Sequence, residues 1–267
     1  MIVSDLLSEL RENILHDRSD QVAGVTDQLW SNATLMRYIN EAHERFAKRS
    51  ECLRDFSTPN VVVVSLIVGQ EFYTLHPKIM GILSARYMGN STLPADIVDI
   101  ARAGHANLDT YTTVDNRYFD TSSISVLKPG KVVAFTTDEG MTADGRGALN
   151  SMVLRTFPIV GAGYDGTLNL RVVRLPLRKL VLTDPNATPE IPEQYHLNML
   201  DWAGYLALRQ PDLDVAGGDG FKQANALAVS FENHVNDAKR EIRRRMFAPP
   251  AFRFGQNGFT YERDWSA

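Results

Sequence analysis

The chain has one cysteine, Cys52, among 267 residues. One thiol forms no intrachain disulfide and no thiolate zinc cluster, so nothing here demands an oxidising compartment. Cys52, at the end of an expected helix, reads as a small structural hydrophobe. The histidines are His16, His43, His76, His105, His196 and His234, and none forms the HExxH pair of a helical zinc site. His43 and His234 fall on expected helices and read as polar-face residues. No run reaches the length of a membrane span, and Met1 to Leu10 holds acids but no basic stretch, so neither a spanning segment nor a secretory leader is expected. The G-x-S-x-G elbow and the G-K-[ST] phosphate loop are absent too. Gly161 to Gly166 lacks both phosphate patterns and reads as a connection between strands. Asp138, Glu139 and Asp144 in the Gly-rich stretch 138–147 do not follow EF-hand spacing, and this stretch reads as an exposed loop. No catalytic residue, metal or cofactor is assigned.

What is present describes a folded chain with uneven charge. Hydrophobic residues make up 44% and charged residues 22%, enough apolar material for a sizeable core. The formal net charge is -4, which argues against a dedicated high-affinity nucleic-acid binder, yet Lys239, Arg240, Arg243, Arg244 and Arg245 crowd one short stretch. They end the clearest periodic signal in the chain. From about Gly220 to Phe247, Ala224, Ala228, Phe231, Val235, Ala238, Ile242 and Met246 recur at steps of three and four, predicting a helix roughly 40 Å long.

Taken in order, Ser4 is an expected cap for a first helix reaching about His16, with Leu6, Leu7, Leu10 and Ile14 on its apolar side. After a polar connector, a second helix begins near Trp30 to Thr34 and carries the stripe Leu35, Ile39, Ala42 and Phe46. Val61 to Val68 is a β-branched run that predicts a strand, and Phe72 to Leu75 its hairpin or tight partner across Gly69-Gln70. Further strands are expected at Ile79 to Arg86, Ser123 to Leu127, Lys131 to Thr136, Met152 to Pro158 and Thr167 to Val173, with a last one or an extended arm at Leu180 to Leu182. Ala95 to Ala103 fits a short helix or a strand. A penultimate helix opens at Glu190 to Glu193; Tyr195, Met199, Leu200, Trp202, Ala203, Leu206 and Ala207 give it an apolar face broad enough to need burial on more than one side. The fold class is α+β: a helical core from the two ends of the chain, a β-rich central insertion and an extended C-terminal arm. The boundaries are 1–58 and 184–247 for the core, 59–183 for the insertion and 248–267 for the arm. The arm concentrates Phe252, Phe254, Phe259, Tyr261 and Trp265 among Pro249, Pro250, Gly255 and Gly258; such aromatics call for burial on this molecule or on another.

Trp30-Ser-Asn-Ala-Thr-Leu-Met-Arg-Tyr-Ile-Asn-Glu-Ala42 resembles the second-helix signature of head-to-tail adaptor proteins of tailed bacteriophages, a tryptophan, a short cap, then LxxYxNEA. The likeness continues through Gly69 to Leu75 and resumes at Ile191-Pro-Glu-Gln-Tyr-His196, with Phe221 to Phe231 where the family's last helix begins. His76-Pro77 departs from the family's Leu-Pro, and 89–175 is only broadly alike. The resemblance implies a non-enzymatic virion protein at the head-tail junction, made in the host cytoplasm. Its copies, commonly twelve, form a homo-oligomeric ring below the portal protein and contact a tail or nozzle protein. DNA crosses the channel without sequence-specific binding, and no membrane anchor is involved. It implies portal or intersubunit contact by Arg240, Arg243, Arg244, Arg245, Phe252, Phe254, Phe259, Tyr261 and Trp265. The helical core would hold Trp30, Leu35, Ile39, Ala42, Phe46, Tyr195, Trp202, Phe231, Val235 and Ile242. The alternative function is a ring protein of the tail or nozzle that does not touch the portal.

Overall fold

A computed structural model describes residues 1–17, 29–89, 97–102, 129–138, 152–209 and 219–246. The expected strand at Ser123 to Leu127, loop 139–147 and arm 248–267 lie outside the described residues. The protein is α+β, with helices from the two ends of the chain and a β-rich centre whose sheet, among the described residues, does not close.

Helix α1 spans Val3–Glu9 and runs on through a π-helical turn, Leu10–Ile14. Ser4 does not cap it. Ile2 holds that position, its N–H donating to Asp5 Oδ2 at 3.2 Å, and the free N–H groups of Val3 and Ser4 donate to the Ala187 and Pro185 carbonyls. A distant segment thus satisfies the donors that a local cap otherwise takes. Helix α2 is Asn32–Ser50; the Ser31 side chain accepts from Thr34 N–H at 3.1 Å, a local N-cap. The two C-terminal helices are α4, His196–Leu208, and α5, Asp219–Met246, a 28-residue rod of about 42 Å. In α5, Ala224, Phe231, Val235 and Ala238 are buried, Ala228 is partly so, and Ile242 is half-buried.

Trp30, Leu35, Ile39, Ala42, Phe46, Tyr195, Trp202, Phe231 and Val235 are all buried in one hydrophobic cluster of the helices. At its centre Phe46 meets Tyr195 at 5.4 Å and Phe231 at 5.9 Å between ring centroids, and Trp202 meets Phe231 at 5.3 Å. The broad face of α4 is consumed here. Met199, Leu200, Ala203 and Ala207 have essentially no exposed surface, because α1 with its π turn, α2 and α5 all pack on this helix. Gly204 permits that crowding: a Cβ there would stand 2.5 Å from Ile14 Cγ2.

The centre of the chain holds a second cluster inside an eight-stranded sheet. Its strands are β1, Arg54–Asp55; β2, Val63–Ser65; β3, Phe72–Thr74; β4, Ile79–Gly89; β5, Ile97–Arg102; β6, Ala134–Asp138; β7, Val153–Phe157; and β8, Gly166–Arg174. Their order is β1-β8-β4-β5-β6-β7-β3, with β2 also on β8. All pairs are antiparallel except β5 with β6.

Three expectations change here. The run Val61 to Val68 is not one strand: Pro59 starts a short helix α3, Pro59–Val62, before three residues of β2. Thr58 accepts from Val61 and Val62 N–H, and Asp55 Oδ1 accepts from Ser57 and Thr58 N–H, so a side-chain-held turn overrides the β-branched preference. Nor do β2 and β3 form a hairpin. Each pairs with a different strand, β8 and β7, at opposite ends of the sheet order. Among the described residues no strand pairs across the gap between them. Of the two readings for Leu180 to Leu182, a strand or an extended arm, the strand falls away; Asn40 holds the segment against α2 by accepting from Leu180 N–H and donating to its carbonyl, both at 2.8 Å. Ala95 to Ala103 resolves as strand β5 over Ile97–Arg102.

Candidate interaction surface

The last turns of α5 carry the basic cluster. Lys239 Nζ lies 3.2 Å from Glu51 Oε1 at the C-cap of α2, and Glu241 accepts from Tyr195 Oη at 2.5 Å and Gln194 Nε2 at 3.0 Å. These contacts fasten the end of α5 beside the point where α2 hands the chain to β1. Arg240, paired with Asp237 at 3.4 Å, is exposed, as are Arg243 and Arg244. Arg245 belongs to the helix, but its side chain lies outside the described set. So do Phe252, Phe254, Phe259, Tyr261 and Trp265. Cations at a helix C-terminus are favoured by the unpaired carbonyls there, so the cluster suits its position as well as any anionic partner.

Exposed apolar side chains gather elsewhere. Ile67 and Val68 on the β2–β3 loop and the neighbouring Phe72 are exposed, at 57%, 49% and 42%. Phe221 and Val229 stand out from α5 and Leu197 from α4. A cleft of about 430 Å³ opens between β2 and β3, lined by Val61, Val64, Ile67, Tyr73 and Leu75 among others. The Tyr73 hydroxyl accepts from Ile67 N–H at 3.1 Å and donates within the same turn, shaping the loop from inside.

The joint between helices and sheet is built on charges that sequence reading did not single out. Arg174, at the end of β8, donates to Asp55 Oδ2 at 2.7 Å and to Glu190 Oε2 at 2.5 Å. Burial alone would raise the Asp55 pKa, but hydrogen bonds from Thr58, Ser57 and Arg174 hold it well below the usual carboxylate range. Glu190 is likewise lowered: burial works against it, while the Arg178 and Leu177 backbone N–H groups and Arg174 more than compensate. Arg11 is another buried cation. It donates to Asp17 and the Trp30 carbonyl at 2.6 Å and to Asn32, fixing the approach to α2. These partners are far apart in sequence, and no local pattern announces them.

His43 is not a polar-face residue. It is buried, its Nε2 has no hydrogen-bond partner among the described residues, and its pKa falls to about 4. Burial is the main cause; Glu190 opposes it and His196 adds to it. His196 donates from Nε2 to the Ile191 carbonyl at 2.9 Å, which leaves its buried Nδ1 without a partner. His234 is half-exposed, with Nε2 at 3.6 Å from Asp201.

Gly161 is needed where two backbones touch, since a Cβ there would lie 2.7 Å from the Gly130 nitrogen, and it serves the β7–β8 connection. Among the described residues no group of three His, Cys, Asp or Glu side chains is placed to hold a metal, and no helix is long and apolar enough to cross a membrane. The motif residues behind the family resemblance mostly face inward. Tyr38 and Ile191 are buried, Asn40 pins Leu180, and Tyr195 reaches Glu241.

No curated protein matches the chain. A family model described as SU10 adaptor protein matches residues 1–253, nearly the whole length, across both helical ends and the β-rich centre. With that match spanning far more than half of the sequence, the chain belongs to the SU10 adaptor protein family, a family of phage head-to-tail adaptors and not of enzymes.

Proposed function

We propose that the protein is a structural virion subunit whose copies form a ring under the portal, connect the capsid to the tail and continue the DNA channel. The observation that carries this reading is the family match over residues 1–253. The geometry is compatible with it in two ways. The exposed Arg240, Arg243 and Arg244 sit at one end of a long rod fastened to the helical core. Separately, Phe221, Val229 and Leu197 are apolar side chains on the outer surface of the helices, the kind of material that a head-to-tail ring contact buries. In this reading the helical body, 1–58 with 184–247, makes the ring contacts. The β-rich insertion, 59–183, faces the periphery or tail side, and the arm, 248–267, docks on portal or neighbour. The ring is a dodecamer in the family's common form. DNA passes through it without base readout, in keeping with a chain of net charge -4.

Native mass measurement of the purified chain, alone and mixed with the cognate portal ring, tests this. The expected result is a multi-copy ring on the portal, whether or not the chain is monomeric alone. A chain that ignores the portal but binds isolated tail components would overturn the reading in favour of a tail ring.

A further inference from the structure

We propose that Arg54 and Arg171 form a carboxylate-binding site on the sheet, and that its occupant is an acidic segment of a partner protein. The site is separate from the basic end of α5 and does not depend on the assembly reading.

Strand register brings the two guanidinium groups together. β1 pairs with β8 so that Arg54 lies opposite Val173. Leu168, Leu170 and Val172 of β8 turn into the core of the sheet, so Arg171 and Val173 alternate to the other face, and Arg54 stands there with them. Arg54 and Arg171 are thus diagonal neighbours across one strand pair, about 7 Å apart at Cα, a gap that long side chains close. Arg171 is exposed and Arg54 half-buried.

The residues around the pair do not balance its charge. On β4 the residue opposite Arg171 is Ser84, and along β8 the same face continues with Asn169, which has Val63 of β2 opposite it. The next cation on that face, Arg86, is already paired with Asp99. Glu51, three residues before Arg54, is engaged by Lys239, and Asp55 lies on the opposite face with Arg174. Among the described residues neither Arg54 nor Arg171 makes an ion pair, and Arg54 Nε is buried without a hydrogen-bond partner. Burial pushes the Arg54 pKa down, the Arg171 charge adds to that, and Glu51 opposes both. Arg11, Arg155 and Arg174, by contrast, each meet a carboxylate of the chain. A desolvated donor beside a like charge costs stability instead of supplying it, and such a cost is characteristic of a binding site.

The surroundings select the oxyanion. Phe56, two residues on from Arg54, is 73% exposed, and Val63 is exposed on the same face as Arg171. Arginine beside aromatic and aliphatic side chains is the composition of a protein interface, and the guanidinium fork matches a carboxylate through two parallel hydrogen bonds. A nucleic-acid strand is held by a row of cations; here Ser84 and Asn169 flank the pair, and the chain carries a net charge of -4.

Nuclear magnetic resonance of the Arg54 and Arg171 Nε–Hε groups tests the site, in the full-length protein titrated with a fluorescein-labelled oligoglutamate peptide. Expected are shifts of both resonances, and anisotropy binding about tenfold weaker in R54Q/R171Q. R240Q/R243Q/R244Q should keep both shifts, which separates this site from the end of α5. R54Q should also unfold at the same urea concentration as the parent or a higher one, because it removes an unpaired buried donor. Unmoved resonances, or equal binding by R54Q/R171Q, overturn the proposal. Tighter binding of oligothymidylate of equal length at the same two resonances overturns it in favour of phosphate. A urea midpoint lowered in R54Q makes Arg54 a structural residue and overturns it too. Portal docking is read separately, so this result and the assembly result stand or fall apart.

Discussion

Burial of the His43 ring disfavours its charged form and lowers its pKa to about 4, so it is neutral in the folded protein near pH 7. Its folded pKa, about 4, lies below the unfolded value of about 6.5, so the unfolded chain takes up a proton first. Stability is therefore full above about pH 6.5 and declines as pH falls toward 4, by up to about 3 kcal/mol from this residue. His196, also lowered by burial, adds loss in the same direction. Asp55 and Glu190, both depressed, contribute their own loss only at lower pH. Urea midpoints measured from pH 7.5 down to pH 4.5 should fall less steeply in His43→Gln than in the wild type, by about 1 kcal/mol or more over that range. Equal slopes in the two proteins would remove His43 as the cause.

Among elements, the decisive contact is the one that Arg174 makes. It ties the end of β8 to the turn before α3 through Asp55 and to the segment before α4 through Glu190. Removing the guanidinium leaves two sheltered carboxylates facing each other's side of the joint. Asp55 keeps the Ser57 and Thr58 N–H groups, and Glu190 keeps those of Leu177 and Arg178, so neither is stranded completely. Arg174→Met is accordingly expected to cost about 3 kcal/mol, at the low end for breaking a buried pair. Equilibrium unfolding reads this directly, and a loss under about 0.5 kcal/mol would show that the joint is held by packing alone.

For the whole molecule, the basic end of α5 is the surface where charge and geometry coincide. Arg240, Arg243 and Arg244 are exposed and tied to few neighbours, so their replacement should leave the fold unchanged and act only on a partner. The triple change to Gln is expected to weaken docking to the portal ring about tenfold and to flatten its salt dependence. Docking that keeps both its strength and its salt dependence would move the contact to the arm or to the exposed apolar side chains of α4 and α5.

Local patterns in this sequence determined the elements whose causes are local. The stripe of α5, the Ser31 cap of α2 and the strand positions of β7 and β8 all follow from neighbours a few residues away, as does the α+β order that led to the family. Tertiary structure decided the rest. The helical turn at Val61 and Val62 is local too, held by Asp55 and Thr58, but β2 pairs with β8 and β3 with β7, strands about a hundred and about eighty residues away and in neither case signalled by spacing. His43 became a buried residue in the packed chain, and the broad face of α4 was spent inside the subunit. Arg174 and Asp55 are 119 residues apart, and the Asn40 clamp on Leu180 closes over 140. Periodicity registers spacings of two to four residues; which distant carboxylate a buried arginine meets depends on the packed chain, where desolvation makes that partner indispensable.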